Sequence, residues 1–330
     1  MDPLNTPFRH NITDLDGQMH SISASSDETD YQRMLEKLNA ASLRKRYDAY
    51  LDIPWEDANF QISRNDSRWQ LSDTDALGST SWYRSLPEPQ RIALALDRTA
   101  VRVKTGIIFE NTLIRGMLEF ALTLPNRAPE FRYALHECIE EAQHSLMFQE
   151  FVNRSGSDPT GLSFGLRMLT RYIIRQGSTC PPLFFLFVLG GEEPIDYDQR
   201  MQLQQKNLHP LMRRIDQIHV TEEARHICFA NAYLHKYVPK LSPFQRLKVR
   251  LLAPFILGNI GKLFLHPPKS VIKRYQIPAS VIKAAYKHNA AQKQEWQHIM
   301  APLCGLCQKL GILTEATAPL WRWFDLIPNK

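Results

Sequence analysis

Acidic residues are missing from one long stretch of this 330-residue chain. Between Glu223 and Glu295 there is neither Asp nor Glu, while twelve Lys and Arg fall between Lys236 and Lys293. That interval underlies the formal net charge of +6. A field of one sign attracts anionic partners and is weakened by salt. It predicts docking of an acidic carrier protein, an anionic substrate or a membrane surface, against the plainer reading of a solvated basic face. Nucleic acid is not expected, because helical nucleic-acid motifs and glycine-rich phosphate loops are absent. Also missing is any run of about 20 apolar residues, the length of a membrane span. The nearest, Leu251 to Leu265, is interrupted by Pro254, Gly258, Gly261 and Lys262. Met1 to Asn5 has no basic stretch leading into an apolar segment, which argues against a secretory signal and predicts a cytoplasmic chain. Cysteine is scarce and odd in number: Cys138, Cys180, Cys228, Cys304 and Cys307. Without a signal, that predicts reduced thiols. Cys304-Gly305-Leu306-Cys307 has no second C-x-x-C to pair with, so packed thiols are expected there.

What the chain does have is helical patterning and enough apolar residues, 44%, to bury a sizeable core. Residues 1–28 are polar and read as a loosely docked arm. Residues 29–330 read as a single helical domain, with a bundle core over about 88–237 and a basic helical region over 238–330. A peripheral helix is predicted from about Thr29 to Leu51, where Tyr31, Met34, Leu35 and Leu38 recur at helical spacing. Residues 52–85 hold Trp55, Phe60, Trp69, Trp82 and Tyr83 amid polar residues and read as an irregular segment pinned by aromatics. Four longer helices follow, over about 90–122, 129–153, 181–205 and 210–237. A Gly- and Pro-containing break at 154–165 lets the chain cross over, and helix resumes by about Leu166. The third long helix begins Leu183-Phe184-Phe185-Leu186-Phe187-Val188-Leu189, too short to span a bilayer and apolar enough to be buried all round. Gly190, Gly191 and Pro194 bracket Glu192 and predict a local distortion.

Two of these helices carry the same short pattern. Glu140-Glu141-Ala142-Gln143-His144 lies on one, and Glu222-Glu223-Ala224-Arg225-His226 on another, with His219 before it. Residues three and four apart share a helix face, so Glu141 and His144 project together, as do His219, Glu223 and His226. Either copy alone is most often a solvated face. A Glu-x-x-His on each of two helices, with one Glu from each of two others, is the ligand set of a carboxylate-bridged di-iron or di-manganese site in a four-helix bundle. Antiparallel helices rise equally per residue, so partners lie symmetrically about the connecting turn. Reflecting Glu141 through Pro125-Asn126 lands on Glu110, and reflecting Glu223 through Asn207-Leu208 lands on Glu192. Glu119 falls too near its turn, whereas Glu193 is one residue off and remains an alternative. Glu140 and Glu222, each beside a ligand-type Glu, are candidates to orient the histidines across the bundle, or else ordinary ion pairs.

Those residues give the chain a family resemblance. Pro89-Gln90-Arg91, Glu110-Asn111-Thr112-Leu113-Ile114, Ile139 to His144, Glu192 and the run from Pro210 through His219 to His226 resemble the p-aminobenzoate N-oxygenase family, over about residues 85–235. Members of that family are non-haem di-iron enzymes that oxidise amines to hydroxylamino, nitroso or nitro products. The resemblance implies an all-α, ferritin-like four-helix bundle and seven metal ligands: Glu110, Glu141, His144, Glu192, His219, Glu223 and His226. His219 discriminates most, because generic ferritin-like sites have two histidines and this family a third. One departure is Glu137, which occupies in the first pair the position of His219 in the second. It is expected to be an ion pair on the helix face or a group behind the ligands, with metal contact as the alternative.

The resemblance further implies two iron ions, dioxygen as co-substrate and an external electron donor. The substrate would be a primary amine, whether an arylamine, an amino acid or a carrier-bound amine, in secondary metabolism. A homodimer is allowed by the sequence and not specified by it. Rival readings are a di-iron desaturase or hydroxylase of a carrier-bound acyl chain, which the basic region would suit, and a non-enzymatic ferritin-like metal-binding protein.

Overall fold

In a computed structural model, residues 28–161 and 164–329 are described, and among them there is no β-strand. The polar arm expected at the N-terminus lies, but for Glu28, outside them. Eight longer helices make up the body: α1 (Glu28–Arg44), α2 (Glu88–Thr123), α3 (Pro129–Ser155), α4 (Phe164–Thr179), α5 (Pro181–Leu203), α6 (Pro210–Tyr237), α7 (Pro243–Leu265) and α8 (Ala290–Lys309). Helices α2 with α3, and α5 with α6, are the two hairpins of a ferritin-like four-helix bundle. Proline sets their starts. Pro129, Pro181 and Pro210 occupy first positions, where a missing N–H costs nothing. At the other end of α3, Gly156 stops the helix in the left-handed region with φ 67°.

Between the hairpins, α4 crosses α2 at two glycines. A Cβ on Gly177 would stand 2.0 Å from the carbonyl oxygen of Gly116, so only hydrogen fits between the backbones. The apolar run of α5 lies at the centre, with Leu183, Phe184, Phe185, Leu186, Val188 and Leu189 all fully buried. Helix α5 is continuous through Gly190, Gly191 and Pro194. The glycines serve packing, since a Cβ on Gly191 would come within 2.1 Å of the Phe109 ring.

Helices α7 and α8 pack against α5, and α1 lies on α3 and α6. Among the described residues no helix is long and apolar enough to cross a membrane. Helix α1 ends at Arg44, not near Leu51. Lys45 N–H still donates to the Ala41 carbonyl oxygen, after which side chains take donors: Asp48 N–H donates to Asp52 Oδ2 (2.8 Å) and Ala49 N–H to Gln143 Oε1 (2.9 Å). The segment before α2 is a series of turns with a short helix at Ser81–Ser85, held by buried Trp55, Trp69 and Tyr83. Several cations of the acid-free stretch are engaged internally. Lys236 meets Glu28 at 2.8 Å and the Tyr31 ring at 3.8 Å, and Arg274 meets Asp97 at 3.1 Å. All five cysteines are free thiols, with Cys304 and Cys307 buried against the core.

Candidate metal centre

Where the two hairpins face each other, the bundle interior turns from apolar to acidic. Glu110 from α2, Glu141 and His144 from α3, Glu192 from α5, and His219, Glu223 and His226 from α6 are all fully buried. Each can offer one ligand atom within 4.8 Å of others in the set, in groups such as Glu110–His144–His219, Glu141–His144–Glu223, Glu192–His219–Glu223 and Glu110–Glu141–Glu192. Helical pitch explains the convergence. Within α3 and α6 the pairs three apart share a face, and the hairpins bring Glu110 and Glu192 to the same level.

The near competitors point elsewhere. Glu119 accepts from Ser178 Oγ at 2.8 Å, toward α4. Glu193 lies outside all these groups, with its carboxyl near Cys304 and Cys307 of α8. Burial and the nearby Asp196 push Glu193 up to about 8.

Both motif histidines are oriented the same way. His144 turns Nδ1 toward Glu141 (3.1 Å) and Glu223 (3.3 Å), and His226 turns Nδ1 toward Glu141 (3.0 Å) and Glu223 (3.2 Å). Their outer nitrogens are held across the bundle by the other motif's first acid: His144 Nε2 by Glu222 Oε2 at 2.9 Å, and His226 Nε2 by Glu140 Oε2 at 2.8 Å. The exchange is reciprocal, α3 holding α6 and α6 holding α3. Fixing the outer nitrogen leaves Nδ1 free to serve as a ligand.

Behind these acids stands a layer that the motif spacing alone did not disclose. The Arg225 guanidinium lies 2.8 Å from Glu140 and 3.5 Å from Glu222, supplying a cation to both. Tyr47 N–H donates to Glu222 Oε1 at 3.2 Å. Arg225 sits inside the second motif, where the first has Gln143. Gln143 in turn accepts from Ala49, so the turn after α1 clamps both copies. The sequence signal was there in Arg225, three residues after Glu222; the backbone donor at Tyr47 left none.

The electrostatics divide the carboxylates. Burial, then the facing Glu141 and Glu223, push Glu110 well above the usual carboxylate range; burial, then Glu223 and Glu110, do the same to Glu192. Burial and Glu223 also press Glu141 upward, but the His226 and His144 imidazoles outweigh them and hold it at about 2. His219 goes the other way from its fellows. Burial brings it down to about 4, leaving a neutral imidazole whose Nδ1 has no hydrogen-bond partner.

Do these residues fit two metal ions? Glu110 Oε2, both oxygens of Glu192, Glu223 Oε2 and His219 Nδ1 are buried without a hydrogen-bond partner. Buried polar groups are nearly always satisfied, and an unpaired buried carboxylate costs many kcal/mol. Two divalent cations would supply the missing partners and the opposing charge. Carboxylates can bridge and change denticity while imidazoles give neutral donors, a donor set suited to iron or manganese. The residues fit.

Known proteins resemble this chain over most of its length. The family model described as P-aminobenzoate N-oxygenase AurF matches residues 28–311. Uncharacterized proteins of Mycobacterium bovis and of Mycobacterium tuberculosis are each 37% identical over 298 residues, covering 90% of this chain and 88% of theirs. No solved structure matches. The chain belongs to the p-aminobenzoate N-oxygenase family, whose members are di-iron proteins of ferritin-like fold.

Proposed function

We propose that this member of the p-aminobenzoate N-oxygenase family is a di-iron monooxygenase that oxidises a primary amine with dioxygen and electrons from an external donor. The observation that carries the reading is His219: a buried, neutral imidazole grouped with Glu110 and His144 on one side and with Glu192 and Glu223 on the other. A storage bundle has no use for a third histidine there.

Two ferrous ions, when bound, supply the electrons that reduce dioxygen. The protein's share is positional. Glu141 and Glu223 lie between the two motif histidines and would hold the metal pair together with them. Glu110, Glu192 and His219 complete the set. Glu140 and Glu222, steadied by Arg225, keep the imidazole Nδ1 atoms turned inward. Full burial of every one of the seven keeps bulk water from the reacting atoms.

The balance for a first oxidation is one amine, one dioxygen, two electrons and two protons giving one hydroxylamine and one water. Repetition carries the nitrogen on to nitroso and nitro. Arylamines, amino acids and carrier-bound amines are the substrate classes proposed, within secondary metabolism. Cations of the 236–293 stretch other than those engaged internally form the face proposed for an acidic carrier protein.

The test is a single turnover of reduced, iron-loaded protein under 18O2 with a panel of those amines and, separately, a carrier-bound acyl chain, read by product mass. Label on the amine nitrogen supports the proposal. Unchanged amines beside a desaturated or hydroxylated carrier-bound acyl chain would transfer the protein to the rival enzyme class. Oxidised iron with no organic product would leave only metal binding.

A further inference from the structure

Glu137 was expected to be an ion pair on the helix face or a group behind the ligands, with metal contact as the alternative. The structure removes the ion pair. Glu137 is fully buried, and neither of its carboxyl oxygens has a hydrogen-bond partner; among the described residues it makes no salt bridge. Nor does it stand behind another ligand as Glu140 and Glu222 do, since no imidazole nitrogen is held by it. Burial pushes its carboxyl well above the usual range, against a smaller opposite pull from the His226 imidazole.

Its position is specific. Glu137 precedes Glu141 by four residues on α3, as His219 precedes Glu223 by four on α6, so each shares the inward face of its motif. The hairpins exchange Glu141 for Glu223, His144 for His226 and Glu140 for Glu222, and the same exchange takes His219 to Glu137. The two end on different sides of the cluster. His219 groups with Glu110 and His144, its ring 4.5 Å from that of His144, and also with Glu192 and Glu223, whereas a Glu137 oxygen groups with Glu141 and His226 within 4.8 Å.

We propose that Glu137 is an eighth metal ligand, bound on the His226 side of the cluster. The two metal positions are then chemically unequal: histidine-rich around His144 and His219, carboxylate-rich around His226 and Glu137. Carboxylate favours harder ions such as Mn2+, and imidazole favours iron, so the His226 side is the one that tolerates manganese. This inference rests on the two-metal reading above and adds a ligand to it.

The experiment is an anaerobic titration of full-length protein and of Glu137→Gln with Fe2+ and separately with Mn2+, read as stoichiometry and affinity. The amide keeps the size of the side chain and loses the anionic ligand. Outer partners of metal ligands already cost 10–100-fold when removed, so the expected result is at least a tenfold weakening of one of two sites, larger for Mn2+. Two sites in Glu137→Gln with affinities within about twofold of the parent would overturn the inference and leave the two-metal reading standing. Failure of the parent protein to bind two ions would instead sink the two-metal reading itself. Should the variant not fold, the Mn2+-loaded parent decides by crystallography. A Glu137 oxygen at about 2.0–2.4 Å from a metal supports the assignment, and one beyond about 3.5 Å contradicts it.

Discussion

Glu222 Oε2 lies 2.9 Å from His144 Nε2, and this bond joins α6 to α3 with both side chains out of contact with solvent. Its counterpart from Glu140 to His226 runs the other way at 2.8 Å. Each imidazole is therefore oriented by the helix that does not carry it. Glu222→Ala should weaken metal binding by about 10–100-fold while the helical circular dichroism stays unchanged. An affinity equal to the parent's in an equilibrium titration would remove the orienting role.

Arg225 is the cation that both outer acids share. Replacing it by Leu takes the shared guanidinium from Glu140 and Glu222 and leaves them only His226, His144 and the Tyr47 N–H, and removing one partner from a buried pair costs about 3–5 kcal/mol. Chemical denaturation should show a loss of that size. A loss below about 1 kcal/mol, the range of exposed pairs, would mean that water reaches the site.

Gly177→Ala tests the crossing of α4 over α2. The new methyl would fall 2.0 Å from the Gly116 carbonyl oxygen, which is backbone and cannot rotate aside. Overpacking of this kind costs about 1–3 kcal/mol or more, read as a lowered Tm. Unchanged stability would show that the two helices do not meet there.

Glu193 gives a pH dependence with a defined sign. Burial and Asp196 raise its folded value to about 8 from the ordinary 4.5. Below 4.5 both folded and unfolded chains hold the proton. Between 4.5 and 8 only the folded chain does, so stability falls as pH rises, by up to about 1.36 kcal/mol per unit. Glu193→Gln should therefore match the parent near pH 4 and exceed it in Tm near pH 8. A variant no more stable than the parent at pH 8 would contradict the assignment.

The sequence made the helices that build the site legible, because hairpin geometry is local. The bounds expected for α2, α3, α5 and α6 lie within about two residues of those observed, and the levels of Glu110 and Glu192 follow from symmetry about short turns. What escaped depends on contacts between distant segments. The end of α1 at Arg44 is fixed by side chains such as Gln143, 94 residues from the Ala49 donor it accepts from. The grip of Tyr47 N–H on Glu222 uses backbone, which has no sequence signature. Glu137 was visible as a departure from the family, but its lack of any partner is a property of the packed interior.

Iron content tests most directly whether the seven buried residues hold a pair of irons, as proposed. Protein loaded anaerobically with Fe2+, freed of excess metal and assayed for iron should hold about two per chain. In a Glu141→Ala/Glu223→Ala variant both should be lost. Iron that accumulates far beyond two per chain on exposure to air, or a double variant that still binds two, would contradict the account.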